Sequence, residues 1–218
     1  MSGCERGSVS SVPVSSGPRY LALGDSYTCG EAVDPSERWP VQLVKMLREQ
    51  KIEIADPEII ATTGWTTDEL SAGIDVANPR GPYAMVSLLI GVNNQFRGRS
   101  VEEFRSQFAG LLKRAIGFAG GESKRVFVVS IPDWGATPFG QTSGRDPGQV
   151  GREIDQFNSV CREECEKAGV AFVDITPISK QAKEDRSLVA EDGLHPSGKM
   201  YGLWCGAALP VAEKVLGQ

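Results

Sequence analysis

Histidine is all but missing from this chain, since His195 is the only one in 218 residues. Hydrolytic zinc centres draw on several imidazoles, so a single histidine makes such a site unusual here and no metal is expected. Long apolar runs are missing too. The longest, near Ala84 to Ile90, has the length of a strand rather than the roughly 20 residues that cross a bilayer, which excludes a membrane-spanning segment. There is no basic excess: 23 Lys and Arg against 28 Asp and Glu give a net charge of −5. No stretch interleaves cations with aromatics as a phosphate-tracking groove does, so nucleic acid is not an expected partner. The five cysteines (Cys4, Cys29, Cys161, Cys165, Cys205) are odd in number and irregularly spaced, against both a disulfide framework and a four-cysteine zinc site. Cys161 and Cys165, four apart, share a helix face and read as small core residues. Gly-x-Ser-x-Gly, Ser-x-x-Lys, the P-loop and Gly-x-Gly-x-x-Gly are all absent, and no cofactor is expected.

What is present fits one α/β domain over residues 19–218, preceded by a tail, 1–18, rich in Ser, Gly and Pro that reads as disordered. The tail lacks the apolar core of a signal peptide and as read implies a cytoplasmic protein. Ser2-Gly3-Cys4 also resembles the start of a mature bacterial lipoprotein, which would make the chain an exported protein tethered through Cys4 if a signal had been removed.

Apolar patterning alternates strand with helix. Tyr20 to Leu23 is a short strand stopping at Gly24, and Trp39 to Glu49 has helical spacing at Val41, Val44 and Leu47. A weaker strand follows over Ile52 to Ile60, interrupted by Asp56-Pro57. Thr66 to Glu69 and Ser100 to Glu103 each have the Thr/Ser-x-x-Glu form of a capping box opening a helix. Tyr83 to Ile90 and Val126 to Ile131 are continuous apolar runs, as expected of strands covered on both faces. A long Gly- and Pro-rich connection, Asp133 to Gly151, reads as a loop and with Phe139 and Arg145 is a candidate partial lid. A helix from about Arg152 to Lys167, a strand over Val170 to Ile175 and a closing helix from Ser197 complete the pattern. Five strands alternating with helices predict a three-layer α/β/α sandwich with a flavodoxin-like five-stranded parallel sheet. Ligands of such sheets bind beyond the carboxyl ends of the strands, where Ser26, Gly64, Asn93 and His195 all fall.

The lone imidazole sits in Asp192-Gly193-Leu194-His195-Pro196, three residues after an aspartate, while Gly24-Asp25-Ser26 ends the first apolar run. A hydroxyl nucleophile needs a base, and the base needs a carboxylate to orient it. Ser26, His195 and Asp192 therefore form a candidate catalytic triad, with Asp25 a turn and helix-terminus residue and Glu191 a poorer substitute for Asp192.

Gly-Asp-Ser after strand one, Gly64 after strand two, Gly91-Val92-Asn93 after strand three and Asp-x-x-His-Pro before the last helix resemble, in that order, the SGNH (GDSL) hydrolase family. The likeness spans about Arg19 to Gly217. It implies a serine ester hydrolase working on small to medium acyl esters through an acyl-enzyme, with an oxyanion hole formed by the backbone N–H of Ser26, the backbone N–H of Gly64 and the side-chain amide of Asn93. The family pattern places aspartate after the asparagine, whereas this chain has Asn94, an amide able to take over most of an aspartate's hydrogen bonds. Trp65 and Trp134 are candidates to border a substrate pocket. Two other functions use the same crevice: a non-catalytic flavodoxin-like module binding a carbohydrate or other small ligand, and an acyltransferase keeping the same three residues.

Overall fold

The computed structural model describes residues 17–217. The expected tail and its Cys4 tether fall almost wholly on residues 1–16, outside the described residues. Five strands, β1 (Tyr20–Gly24), β2 (Pro57–Ala61), β3 (Met85–Leu89), β4 (Val126–Val129) and β5 (Ala171–Val173), form one sheet of order β2-β1-β3-β4-β5. Every neighbouring pair is parallel, as the alternating pattern requires. The helices are α1 (Ser26–Cys29), α2 (Trp39–Glu49), α3 (Thr67–Ala77), α4 (Val92–Phe96), α5 (Val101–Phe118), α6 (Pro138–Thr142), α7 (Pro147–Ala168), α8 (Thr176–Ser179) and α9 (Gly198–Val215). The pair α2 and α9 covers one face of the sheet, while α3, α5 and α7 cover the other.

The three central strands are buried along their whole length, whereas β2 and β5 at the edges are half-exposed. That matches continuous apolar runs at the centre and interrupted ones at the margins. Gly24 stands in register with Ala61 and with Leu89, so three strands end level. The connections leaving them, which carry Ser26, Gly64 and Asn93, therefore emerge side by side.

Several boundaries differ from the pattern-based expectation, each for a local reason. The second strand begins only at Pro57, because residues 52–56 bond elsewhere: Ala55 donates its N–H to the Pro18 carbonyl, and Arg48 Nη2 donates to the Ile54 carbonyl at 2.7 Å. The fifth strand ends at Val173, where Ser130 Oγ accepts the N–H groups of Ile175 and Thr176 at 2.8 and 3.1 Å and draws the chain away from the ladder. The stretch 133–151 is no open loop. It contains α6, and α7 already starts at Pro147, where Asp146 accepts the N–H groups of Gly148 and Gln149 at 3.0 and 3.2 Å and proline occupies the first helical turn. Thr66 and Glu69 form the expected reciprocal capping box. Ser100 accepts from Glu103 N–H at 3.1 Å, but the Glu103 carboxylate goes to Arg99 and Gln107 instead of returning to the cap.

Candidate active site

Ser26 is the first residue of α1, at the tip of β1. Its helix is capped by Asp25, whose Oδ1 accepts the Tyr27 N–H at 3.0 Å. Capping is thus done by the residue before Ser26, which leaves the serine hydroxyl free of that duty. The turn from strand to helix is tight: a Cβ on Gly24 would collide with the Thr28 side chain and the Leu89 carbonyl oxygen, so only glycine lets α1 fold back onto the strand end. Asp25 is fully buried and its Oδ2 has no hydrogen-bond partner. Burial pushes its pKa up to about 7.

His195 lies on the connection into α9 and is 8% exposed. Its Nδ1 is 2.5 Å from Asp192 Oδ2. The other oxygen, Asp192 Oδ1, accepts the backbone N–H groups of Leu194 and His195, both at 2.9 Å. Burial favours the neutral acid, but these hydrogen bonds outweigh it and hold the Asp192 carboxyl below the ordinary aspartate range. A charged carboxylate at Nδ1 leaves Nε2 as the free nitrogen of the ring. Tyr27 meets that ring edge-on, with centroids 5.7 Å apart.

Ser26 and His195 line one cleft of about 100 Å³, together with Tyr27, Val92, Asn93, Phe96, Trp134, Phe139 and Leu194. Among the described residues no hydrogen bond joins the serine to the imidazole, and catalytic contacts of this kind tighten as substrate binds. Asn93, on α4, donates from Nδ2 to the Trp65 carbonyl at 2.9 Å and keeps its second amide hydrogen available. Gly64 stands one residue from that contact with φ of +86°, a left-handed conformation that glycine adopts at no steric cost. A larger groove of about 680 Å³ lies at the other end of the sheet, between Arg19, Tyr83 and Arg125, and holds neither a serine nor a histidine.

The two tryptophans part company. Trp134 lines the cleft: its Nε1 donates to Gln95 Oε1 at 2.8 Å, Gln95 Nε2 donates to Glu153 at 2.6 Å, and Arg145 pairs with the same carboxylate at 2.7 Å. Trp65 does not. Its indole lies over Gly73 of α3, and only its backbone carbonyl takes part in the site. Phe96 and Phe139, respectively 49% and 37% exposed, pack on Trp134 with centroids 5.4 and 5.9 Å away and form the rim. Phe139 also donates its N–H to the Gly193 carbonyl at 2.9 Å, which ties α6 to the segment bearing the histidine. Sequence patterning missed Phe96 and Gln95. The available signal was an exposed aromatic beside the Gly-x-Asn motif.

Asn94, where the family pattern has aspartate, is completely buried. Its Oδ1 accepts the Thr67 N–H at 3.1 Å and its Nδ2 donates to Thr67 Oγ1 at 2.7 Å, pinning the start of α3. The residue is a strut between two elements.

The GDSL-like lipase/acylhydrolase family matches residues 22–203. This chain belongs to that family. No curated protein sequence matches the chain. Among solved structures it resembles the crystal structure of TesA, with a TM-score of 0.71 and 18% identity over 91% of this chain and 99% of that one. The psychrotrophic esterase EstA from Pseudoalteromonas sp., inhibited by monoethylphosphonate, gives a TM-score of 0.69 and 17% identity over 92% and 100%. Axe2, an acetylxylan esterase from Geobacillus stearothermophilus, gives 0.65 and 18% over 95% and 97%. At these identities the likeness establishes the fold. The family match supplies the chemistry class, acyl-ester hydrolysis. No helix among the described residues is long and apolar enough to cross a membrane.

Proposed function

We propose that this GDSL-family chain is a serine ester hydrolase for short acyl groups, acting through an acyl-enzyme. Ser26 is the nucleophile, His195 the general base and acid, and Asp192 the carboxylate that orients the ring. In acylation Ser26 Oγ attacks the ester carbonyl carbon while its proton passes to His195 Nε2. The oxyanion that forms is received by the N–H of Ser26, the N–H of Gly64 and the Asn93 amide, donors each worth about 3 kcal/mol of barrier in comparable sites. Collapse of the tetrahedral adduct expels the alkoxide, which takes the proton from Nε2. Water then repeats the sequence on the acyl-serine and releases the acid.

The observation that carries this reading is the clamp of the sole imidazole by Asp192 at 2.5 Å, in a ring that lines the same cleft as Ser26. A pure binding module has no need of that arrangement. Short acyl groups are favoured because the cleft, about 100 Å³, is far smaller than the roughly 300–1,000 Å³ of sites that engulf drug-sized ligands, and because its aromatic lining is anchored through Gln95.

Two experiments test it. Nitrophenyl esters from acetate to palmitate should show kcat/KM falling with chain length, beside acetylated sugars and acyl-CoA as alternative donors. A fluorophosphonate probe should label the wild type and not Ser26→Ala. Folded wild-type protein that resists the probe supports a non-catalytic binding module instead, and ester products formed with competing alcohols mark acyl transfer.

A further inference from the structure

The segment Gly64–Thr67 is held by a side chain at each of its four residues. The Gly64 carbonyl accepts from Arg97 Nη2 at 2.7 Å and the Trp65 carbonyl accepts from Asn93 Nδ2 at 2.9 Å. Thr66 donates its N–H to Glu69 Oε2 at 2.8 Å, and Thr67 donates its N–H to Asn94 Oδ1 at 3.1 Å. Three of these four anchors come from α4 and its C-terminal cap. Arg97 uses both arms of its fork, since Nη1 reaches Glu69 Oε1 at 3.0 Å while Nη2 bonds Gly64.

As a stabilising element this arginine counts for little. Its side chain is 43% exposed and that of Glu69 38%, and exposed ion pairs contribute almost nothing net. Its contact is placed where position matters instead. Gly64 has no side chain to fix its backbone, and in the left-handed region it moves to neighbouring conformations at small cost. An oxyanion donor must sit within a few tenths of an ångström of its target, and a displacement of about 1 Å costs about a hundredfold in rate. The Gly64 carbonyl belongs to the peptide unit whose other end, the Trp65 N–H, donates to the Thr62 carbonyl at 3.2 Å. Gripping it therefore holds the far side of Gly64 and leaves its own N–H, in the preceding peptide unit, to turn only through the φ and ψ of that one residue.

We propose that Arg97 is a positioning residue for the oxyanion hole: it grips the Gly64 carbonyl, braced by Glu69, so that the Gly64 N–H stays aimed at the developing oxyanion. This rests on the ester-hydrolase reading of the same site. Lysine cannot replace it fully, because a single ammonium lacks the fixed fork that spans both acceptors.

The test compares wild type, Arg97→Ala, Arg97→Lys and, as a control, Arg114→Ala, which removes an arginine bonding the Ser71 carbonyl and Asp75 away from the cleft. Four quantities are read: kcat and KM on nitrophenyl acetate, the rate of fluorophosphonate labelling, melting temperature, and amide exchange in a peptide covering 62–66. Arg97→Ala should lower kcat and the labelling rate by about 10- to 100-fold with KM within about twofold, and speed exchange of 62–66 about tenfold. Arg97→Lys should fall between it and wild type, and Arg114→Ala should keep wild-type kcat. Wild-type kcat in a folded Arg97→Ala, beside an inactive Ser26→Ala, overturns the clamp and leaves the enzyme standing. If the wild type neither hydrolyses esters nor labels, the ester-hydrolase reading fails, and unchanged exchange in 62–66 then overturns the clamp separately. Should Arg97→Ala fail to fold, the lysine variant decides: full wild-type kcat and exchange in it refute the need for the fork.

Discussion

Asp192→Asn is the substitution whose outcome the structure fixes most tightly, because the orientation of the new amide is dictated in advance. Asp192 Oδ1 accepts two backbone N–H groups, from Leu194 and His195, both at 2.9 Å. An asparagine must keep its carbonyl oxygen there, since turning the NH₂ group inward loses both bonds and sets donors against donors. At about 1 kcal/mol for each lost bond and more for the clash, the flipped form is disfavoured by about 2–4 kcal/mol, a population of roughly 1 in 30 to 1 in 1,000. The amide nitrogen then faces His195 Nδ1 in place of Oδ2, which stands 2.5 Å away in the wild type. It donates to Nδ1 and forces the ring proton onto Nε2, the nitrogen that should receive the serine proton. Loss of the charge that stabilises the imidazolium adds to this, and kcat should fall by about 10³- to 10⁴-fold. Asp192→Ala leaves the ring free to take either tautomer and should be less damaging at neutral pH. Because His195 is the only histidine, nitrogen-15 ring shifts of uniformly labelled protein report its tautomer without assignment. An Nδ1–H tautomer in the asparagine variant, or an asparagine variant faster than the alanine one, refutes this account.

Asp25 gives a pH dependence of the opposite sign to a salt-bridged carboxylate. Burial raises its folded pKa from 3.8 to about 7, so between those values the native state keeps a proton that the unfolded chain releases. Stability therefore declines as pH rises from about 4 to 7 and levels above, with up to about 4 kcal/mol at stake; Asp25→Asn, which keeps an acceptor for Tyr27 N–H, should gain on wild type by up to that amount across the window. Urea midpoints at three pH values measure it, and a difference that does not change with pH refutes the argument. At Asn94, restoring the family aspartate reverses one bond: Thr67 Oγ1, which now receives from Asn94 Nδ2 and donates to Gln107, must donate to the new carboxylate, and Gln107 must leave Glu103 to supply a donor. Asn94→Asp should keep kcat within about tenfold, whereas Asn94→Ala loses two buried bonds and should cost about 2–4 kcal/mol in chemical denaturation. A collapse of kcat in Asn94→Asp at unchanged stability shows that the residue acts in the reaction and not as a strut.

Much of the fold was legible because its determinants are local or repetitive. Central strands announce themselves as unbroken apolar runs, and the strand-helix alternation with right-handed crossovers leaves few topologies. The Thr66–Glu69 capping box is likewise a contact between residues three apart. What escaped reading depends on partners distant in sequence. The end of β5 is set by Ser130, 45 positions before Ile175, and the start of β2 by Pro18 and Arg48. The early start of α7 was readable in principle, since Asp146-Pro147 is a cap followed by a first-turn proline, but the polar and glycine-rich residues after it hide the helical period. In the site, motif order placed Ser26, Asn93 and His195 at strand ends, and geometry set them around one cleft. It could not place Trp65, because the side a tryptophan turns to is settled by what will cover it. Here that is Gly73, whose missing Cβ makes a seat for the indole on α3.

The short helix α4 shows why so much of the site concentrates in one motif. Successive residues of a helix point about 100° apart, so Asn93, Arg97 and Asn94 fall within an arc of roughly 100°, while Gln95 and Phe96 point to the remaining side. The first arc faces the Gly64–Thr67 segment and supplies the three bonds that reach it from α4 and its C-terminal cap, Arg97. The second faces Trp134, which Gln95 anchors through its indole N–H and Phe96 meets edge-on. One turn of helix thus carries two of the three proposed oxyanion donors on one side, Asn93 directly and Gly64 through its carbonyl, and the aromatic wall of the cleft on the other. A rotation of α4 would move both together. Substitutions on the Gln95 and Phe96 side should therefore change acyl preference with kcat on acetate preserved only as long as the Asn93, Asn94 and Arg97 anchors keep the helix from turning.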